Sequence, residues 1–324
     1  MRGAELGDVG ADTGRSSGPF DLAPVGGNAG YVTSTASEKP SSSQIVEGLL
    51  RWVADSGRSL PWRQTRDPWA ILVSEVMSQQ TQIDRVVPKW HEFMARFANP
   101  QALADAALGD VLTLWVGLGY NRRAAMLHAC AVVIAEEHGG RVPEDLDALL
   151  SLPGIGPYTA RAVLAFAFEH DVAVVDTNVG RILARVSGRS LSARSAQETA
   201  DALVPDGRGW EWNQALLDFG AGVCTKRSPS CGPCPLREHC QWRGIGDDPA
   251  AGSAGVSTPQ STFSGSDREG RGRLVRCLAA TSIAIDSVAG VMGWPHDSER
   301  AERVLEKLIS EGLVVREGNN VRLP

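Results

Sequence analysis

Between residues 43 and 222, apolar positions recur at spacings of three and four, the period of helices that bury one face. The pattern predicts helices over Ile45–Ala54, Pro68–Gln80, Asp84–Phe97, Arg122–His138, Pro157–Phe168, Thr177–Ser187, Ala196–Val204 and Glu211–Phe219. No convincing run of polar and apolar alternation interrupts them, so the stretch reads as an all-α body. Asp67-Pro68 offers a cap followed by proline at the first helical position, and Gly139-Gly140 closes a helix at its far end. Periodicity returns near the C-terminus, with helices over Arg273–Ala280, Asp286–Met292 and Ser298–Gly312. There Leu313–Arg316 and Val321–Leu323 flank a Glu317-Gly318-Asn319-Asn320 turn as a hairpin. Helices closed by such a hairpin predict a small winged helix-turn-helix.

Composition divides what periodicity leaves over. Residues 1–42 are rich in Gly, Ser, Thr and Ala and read as a disordered tail. The body spans 43–243, a Gly/Ser/Ala/Pro/Asp-rich linker spans 244–270, and the winged unit spans 271–324. Apolar content of 43% and charged content of 22% fit a globular chain with a sizeable core. No apolar run approaches the roughly 18 residues of a membrane span, and no secretory signal is visible, so the expected location is the cytoplasm. A net charge of -6 counts mildly against a nucleic-acid partner. Local pairs such as Arg122-Arg123 and Lys226-Arg227 still offer phosphate contacts, and backbone amides carry no formal charge.

The cysteines sharpen the picture. Cys224, Cys231, Cys234 and Cys240 are spaced C-x6-C-x2-C-x5-C, which in a chain without a secretory signal reads as metal ligation. Zinc ribbons use two close pairs with a long spacer. The single close pair here favours a [4Fe-4S] cluster, with zinc the alternative. Lys226, Arg227 and Arg237 lie inside the cysteine loops, either as a phosphate-facing surface or as a solvated loop. Cys130, within the apolar stretch 129–135, reads as a buried inert thiol.

Two further features carry chemistry. Leu152-Pro153-Gly154-Ile155-Gly156-Pro157-Tyr158-Thr159-Ala160 joins two helices through glycines two apart, and Pro157 opens a helix whose amides attract phosphate. That describes a helix-hairpin-helix, a grip on DNA backbone independent of sequence. Downstream, Asp176 stands at a helix start where Asp is also a common cap, and Glu75 stands in a helix apolar at Ile71, Leu72, Val73, Val76 and Met77.

These motifs, together with Ser74-Glu75-Val76-Met77-Ser78-Gln79-Gln80-Thr81-Gln82, Leu60-Pro61-Trp62-Arg63 and Gly117-Leu118-Gly119-Tyr120, resemble the iron–sulfur helix-hairpin-helix DNA glycosylases. Within them the chain is similar to the adenine glycosylases of the MutY family over about residues 45–243. The resemblance implies removal of adenine mispaired with 8-oxoguanine or guanine in base excision repair, by a monomer acting on duplex DNA in the bacterial nucleoid. It implies Glu75 as general acid and Asp176 as the ionised stabiliser of the sugar cation, helped by Tyr158 and Asn178. Trp62, Arg63 and Gln214 would border the base pocket, and Gln80 and Tyr120 would wedge into the vacated stack. Gly154, Gly156, Pro157, Thr159, Lys226 and Arg227 would contact DNA.

Endonuclease III, a close relative, has a lysine where this chain has Tyr158, and the change implies a monofunctional glycosylase without strand nicking. The chain departs from the family at Ser78 and Asn121. A linker and winged unit follow Cys240 where most members carry a Nudix-like domain, as in truncated actinobacterial members. Its expected contribution is affinity through backbone contacts. Two other readings stay open: a glycosylase of the same fold for another base, and an iron–sulfur DNA-binding regulator.

Overall fold

The computed structural model describes residues 42–253 and 262–324; the predicted tail lies almost wholly outside them. The order of helices follows the periodicity closely. Helices α1 (Ser42–Ser56), α2 (Pro68–Ser78) and α3 (Ile83–Arg96) open the body. Two short helices that periodicity does not reveal come next, α4 (Pro100–Ala104) and α5 (Leu108–Trp115). Then follow α6 (Arg122–Glu137), α7 (Leu146–Ser151), α8 (Pro157–Ala167), α9 (Thr177–Ser187), α10 (Ala193–Asp201) and α11 (Gly209–Gly222).

Helix α2 is the centre of the body because its sequence leaves it no polar face. Every residue from Trp69 to Met77 is buried, and the helix packs against α3, α6 and α8. Asp67 starts it by accepting the Trp69 N–H at 3.0 Å, and Pro68 loses nothing at a position where its missing N–H has no helical partner. The indole N–H groups of Trp69 and Trp90 donate to the Phe97 and Ala70 carbonyls, so these buried rings leave no orphaned donor. A second apolar cluster forms from α1, α9, α10 and α11 together with Leu236 of the cysteine segment.

The first stretch expected to be linker belongs to this second cluster. Residues 249–252 form a 3-10 turn with Ala250 buried, and the Ser253 hydroxyl accepts the Leu191 N–H at 3.0 Å. Asp248 pairs with the buried Arg185 at 2.7 Å. Burying an arginine demands such a partner, and the Gly/Ala/Asp composition gives no hint of it.

The C-terminal unit begins a few residues before the expected boundary, with α12 (Asp267–Leu278) capped by Ser266. Strand β1 (Ile283–Ala284), α13 (Val288–Met292), α14 (Ser298–Ser310), β2 (Val315–Glu317) and β3 (Asn320–Arg322) complete it. The sheet order is β1-β3-β2, all antiparallel, with three helices before the hairpin. This is a winged helix-turn-helix arrangement. Its apolar core (Leu274, Val275, Leu308, Val321 and neighbours) is continuous with that of the body. No helix among the described residues is long and apolar enough to cross a membrane.

Candidate active site

Helices α2, α8 and α9 bring three of the expected residues together. Glu75 projects from the last turns of α2 and is 9% exposed. Tyr158, in the first turn of α8, is hydrogen-bonded to it, and Asp176, the cap of α9, lies near enough to raise the Glu75 pKa through its charge. Burial pushes the Glu75 carboxyl from 4.5 up to about 7; the Tyr158 hydrogen bond opposes this, Asp176 adds to it and Arg63 opposes it. Burial, and then the charges of Glu75 and Asp176, hold the Tyr158 phenol well above its ordinary range.

Asp176 has a different environment. Burial raises its pKa too, but the Val179 amide (2.7 Å), the Asn178 side chain (2.7 Å) and the Asn178 amide (2.8 Å) all donate to its carboxylate and favour the charge. The donors that make Asp176 a helix cap are therefore the same ones that favour its charged form against burial. The neighbouring carboxyls are set apart: one acquires donors that stabilise the anion, the other chiefly apolar walls.

Buried arginines that sequence reasoning did not single out hold this arrangement. Arg181 donates to the Asn178 side-chain Oδ1 at 2.9 Å and to the backbone carbonyls of Gly220 at 2.7 Å and Cys224 at 2.8 Å. Arg185, one turn on, donates to the Thr225 carbonyl at 2.7 Å and the Cys224 sulfur at 3.4 Å. Only their four-residue spacing in α9, just upstream of the cysteine segment, could have marked them. Asp218 is likewise buried, and Arg63 engages both its oxygens at 2.7 and 2.8 Å.

Arg63 and Gln214 also line a cavity of about 350 Å3 together with Leu60 and Trp210. Trp62 does not line it. Its ring is buried edge-on to Trp90, with centroids 5.8 Å apart.

Of the DNA-contact candidates, Gln80, Tyr120 and Gly154 line one cleft. Gly154 has φ +77, and a Cβ there would lie 2.7 Å from the Met126 Cβ, so only glycine fits. Gly156 caps α8 with open space around it, and Pro157 starts the helix. Thr159 is buried, its hydroxyl accepting from the Gln79 side-chain amide at 3.4 Å, so the side chain is not on the surface. Gln80 (φ +55) and Tyr120 (φ +49) both adopt the left-handed region that side chains avoid, the kind of strain concentrated at functional sites. Arg123 pins both loops, donating to the Val76 and Met77 carbonyls at the end of α2 and to the Gly119 carbonyl and the Thr81 hydroxyl.

Cys224, Cys231, Cys234 and Cys240 line one small cavity closed by Arg185, Leu236 and Trp242. Among the described residues, no three His, Cys, Asp or Glu side chains are gathered as ligands of a single metal ion. The donor set nonetheless suits a soft metal group: four thiols, with the Arg185 guanidinium donating to the Cys224 sulfur and the Arg243 amide to the Cys240 sulfur at 3.4 Å. A Cβ at Gly244 would come within 3.1 Å of the Cys231 sulfur, so the chain passes close against that thiol. Lys226 and Arg227 are exposed on the same loop. Cys130 is fully buried, and burial pushes its thiol up to about 12.

Comparison with known proteins agrees with this geometry. The model of HhH-GPD superfamily base excision DNA repair proteins matches residues 73–205. The adenine DNA glycosylase of Mycobacterium tuberculosis is 44% identical over 83% of this chain and 89% of its own length. That of Mycolicibacterium smegmatis is 44% identical over 82% and 91%. The solved structure of a thermostable thymine-DNA glycosylase superposes with a TM-score of 0.60 at 30% identity, covering 63% of this chain and 96% of that one. Fold and site define a base excision DNA repair protein of the HhH-GPD superfamily. Within that superfamily, the chain belongs to the adenine DNA glycosylase family.

The raised Glu75 pKa has a measurable consequence for stability. The folded chain holds this proton more tightly than the unfolded one, so a penalty absent below about pH 4.5 grows as pH rises and is complete above about pH 7. Glu75→Gln removes it. The variant is expected to be more stable than wild type by roughly 2–3 kcal/mol at pH 8, and to lose most of that gain at pH 5. Urea unfolding at both pH values measures this, and an equal difference at the two would contradict it.

Proposed function

We propose that this glycosylase removes adenine from duplex DNA by protonating the base from Glu75 while Asp176 stabilises the sugar cation. The observation that carries the reading is the pair of neighbouring carboxyls in opposite environments. Glu75, desolvated, keeps its proton near neutral pH and has Tyr158 to orient it. Adenine is a poor leaving group as an anion, so proton transfer to a ring nitrogen accompanies breaking of the C1′–N bond. Electrons of that bond leave with the base, and positive charge spreads over the sugar ring. Asp176, whose charged form is favoured by three N–H donors, faces that charge. Water then adds at C1′ and gives up a proton to the Glu75 carboxylate, which restores the acid.

Tyr158 stands hydrogen-bonded to Glu75 where a lyase would need an amine. A phenol forms no Schiff base, so the product is an abasic site and the enzyme is monofunctional. Arg63 and Gln214 border the extruded base. Gln80 and Tyr120 fill the gap it leaves and meet the base opposite, favouring 8-oxoguanine, then guanine, over thymine, since the cost of unpairing is smallest at mismatched or damaged pairs. The four cysteines hold a [4Fe-4S] cluster whose part is to fix the loop carrying Lys226 and Arg227.

Single-turnover cleavage of a duplex panel varying the target and the opposite base tests the assignment. Adenine opposite 8-oxoguanine and opposite guanine should be cut. Glu75→Gln should slow excision by at least about 100-fold while DNA affinity survives, and Asp176→Asn should be similarly impaired. Normal cutting by Glu75→Gln would remove the assigned acid; excision of thymine alone would move the specificity to another base. Anaerobically purified protein should be brown and contain iron and acid-labile sulfide, and stoichiometric zinc in colourless protein would replace the cluster.

A further inference from the structure

A cleft of about 1320 Å3 lies between the catalytic body and the winged unit. One wall carries Gln80, Tyr120 and Gly154, the residues assigned above to the DNA face. The other is built from α12 and α14. Eight basic side chains line the cleft against two carboxylates, on a chain whose net charge is -6. Both carboxylates are already engaged: Asp267 with Arg300 at 2.7 Å and Arg303 at 3.7 Å, and Glu311 with Arg271. The cleft therefore carries a surplus of positive charge, although the chain as a whole is acidic. Like charges gathered in this way repel one another, and a polyanion relieves that repulsion.

The geometry of α12 fits the same partner. Arg268, Gly272 and Arg276 recur every four residues and so share one helix face, and all three line the cleft. A Cβ at Gly272 would meet nothing within 4 Å. Glycine inside a helix is less favourable than alanine. No packing requires it here, and its effect is to open the helix surface to close approach. Arg276 and Lys307 are both exposed.

The unit is also fixed relative to the body. Arg268 donates to the Tyr120 hydroxyl at 2.8 Å, so the winged unit touches a wedge residue directly. The C-terminal Pro324 packs against α5 so closely that a Cβ at Gly109 would lie 2.5 Å from its carbonyl oxygen.

We propose that α12 and α14 form the second wall of a duplex DNA channel, in which Arg276 and Lys307 take backbone phosphates beyond the wedge residues. This rests on the glycosylase reading and adds to it a binding surface outside the catalytic body. The test uses the full chain and a short undamaged duplex, with affinity followed from about 50 to 200 mM salt. The double variant Arg276→Ala/Lys307→Ala should bind about tenfold more weakly at the lowest salt. Its plot of log K against log salt should be shallower by nearly two, because each lost phosphate contact removes a slope of about 0.9. Arg276→Lys/Lys307→Arg should restore both. Wild-type affinity and slope in a folded double variant would overturn the inference alone. A wild-type chain that fails to hold duplex DNA would overturn the glycosylase reading, and this inference with it.

Discussion

The desolvation of one carboxyl group organises this structure. Glu75 sits at the end of a helix whose other buried positions are almost wholly apolar, and removing that carboxyl from water raises its pKa to about 7. A cation bonded directly to it would abolish the effect. Arg63, the nearest candidate, is instead committed to Asp218, and Glu75 receives the neutral Tyr158 as its hydrogen-bond partner. Around this the fold must supply a second carboxylate with donors that favour its charged form. It does so by placing Asp176 at a helix N-terminus, where amides are available without any added positive side chain.

Helix α9 transmits position from one end of the site to the other. Its cap is Asp176; one turn in, Asn178 and Arg181 are bonded in series; and Arg181 and Arg185 grip the backbone around Cys224. Each guanidinium is satisfied by carbonyls or by a carboxylate, which is what allows two arginines to be buried so close together. The cysteine loop and the Asp176 carboxylate therefore share a rigid element, and loss of order in one would be felt at the other.

Much of this was legible in the chain. Long helices with a clear period, such as α6 and α9, were found within a residue or two of their ends because caps and glycines mark them. The short α4 and α5 escaped because five to eight residues give too little periodicity to read. The hairpin at Gly154, the cysteine spacing and the carboxylates were visible as residue types. Their meeting depends on helices far apart in sequence, and the family resemblance supplied that pairing. Arg123, which the sequence marks as a phosphate contact, engages the Val76, Met77 and Gly119 carbonyls with its guanidinium. Arg181 and Arg185 were invisible because an arginine in a helix ordinarily reads as solvent-facing, and only partners set by tertiary packing reveal a buried one. The ordered Asp248–Ser253 segment was hidden in the same way, since its composition is that of a linker.

The central claim is that Glu75 delivers a proton held by desolvation. The most direct measurement is the pH dependence of adenine excision under subsaturating single-turnover conditions, which reports on the free enzyme's groups. The account predicts a rate that is highest near neutrality and falls about tenfold per pH unit above about pH 7, as Glu75 loses its proton. It also predicts a decline in acid as Asp176 is protonated, beginning above the ordinary aspartate range because burial raises its pKa. A profile flat from pH 6 to 9, or one whose alkaline limb starts near an ordinary carboxylate value of about 4–5, would contradict it.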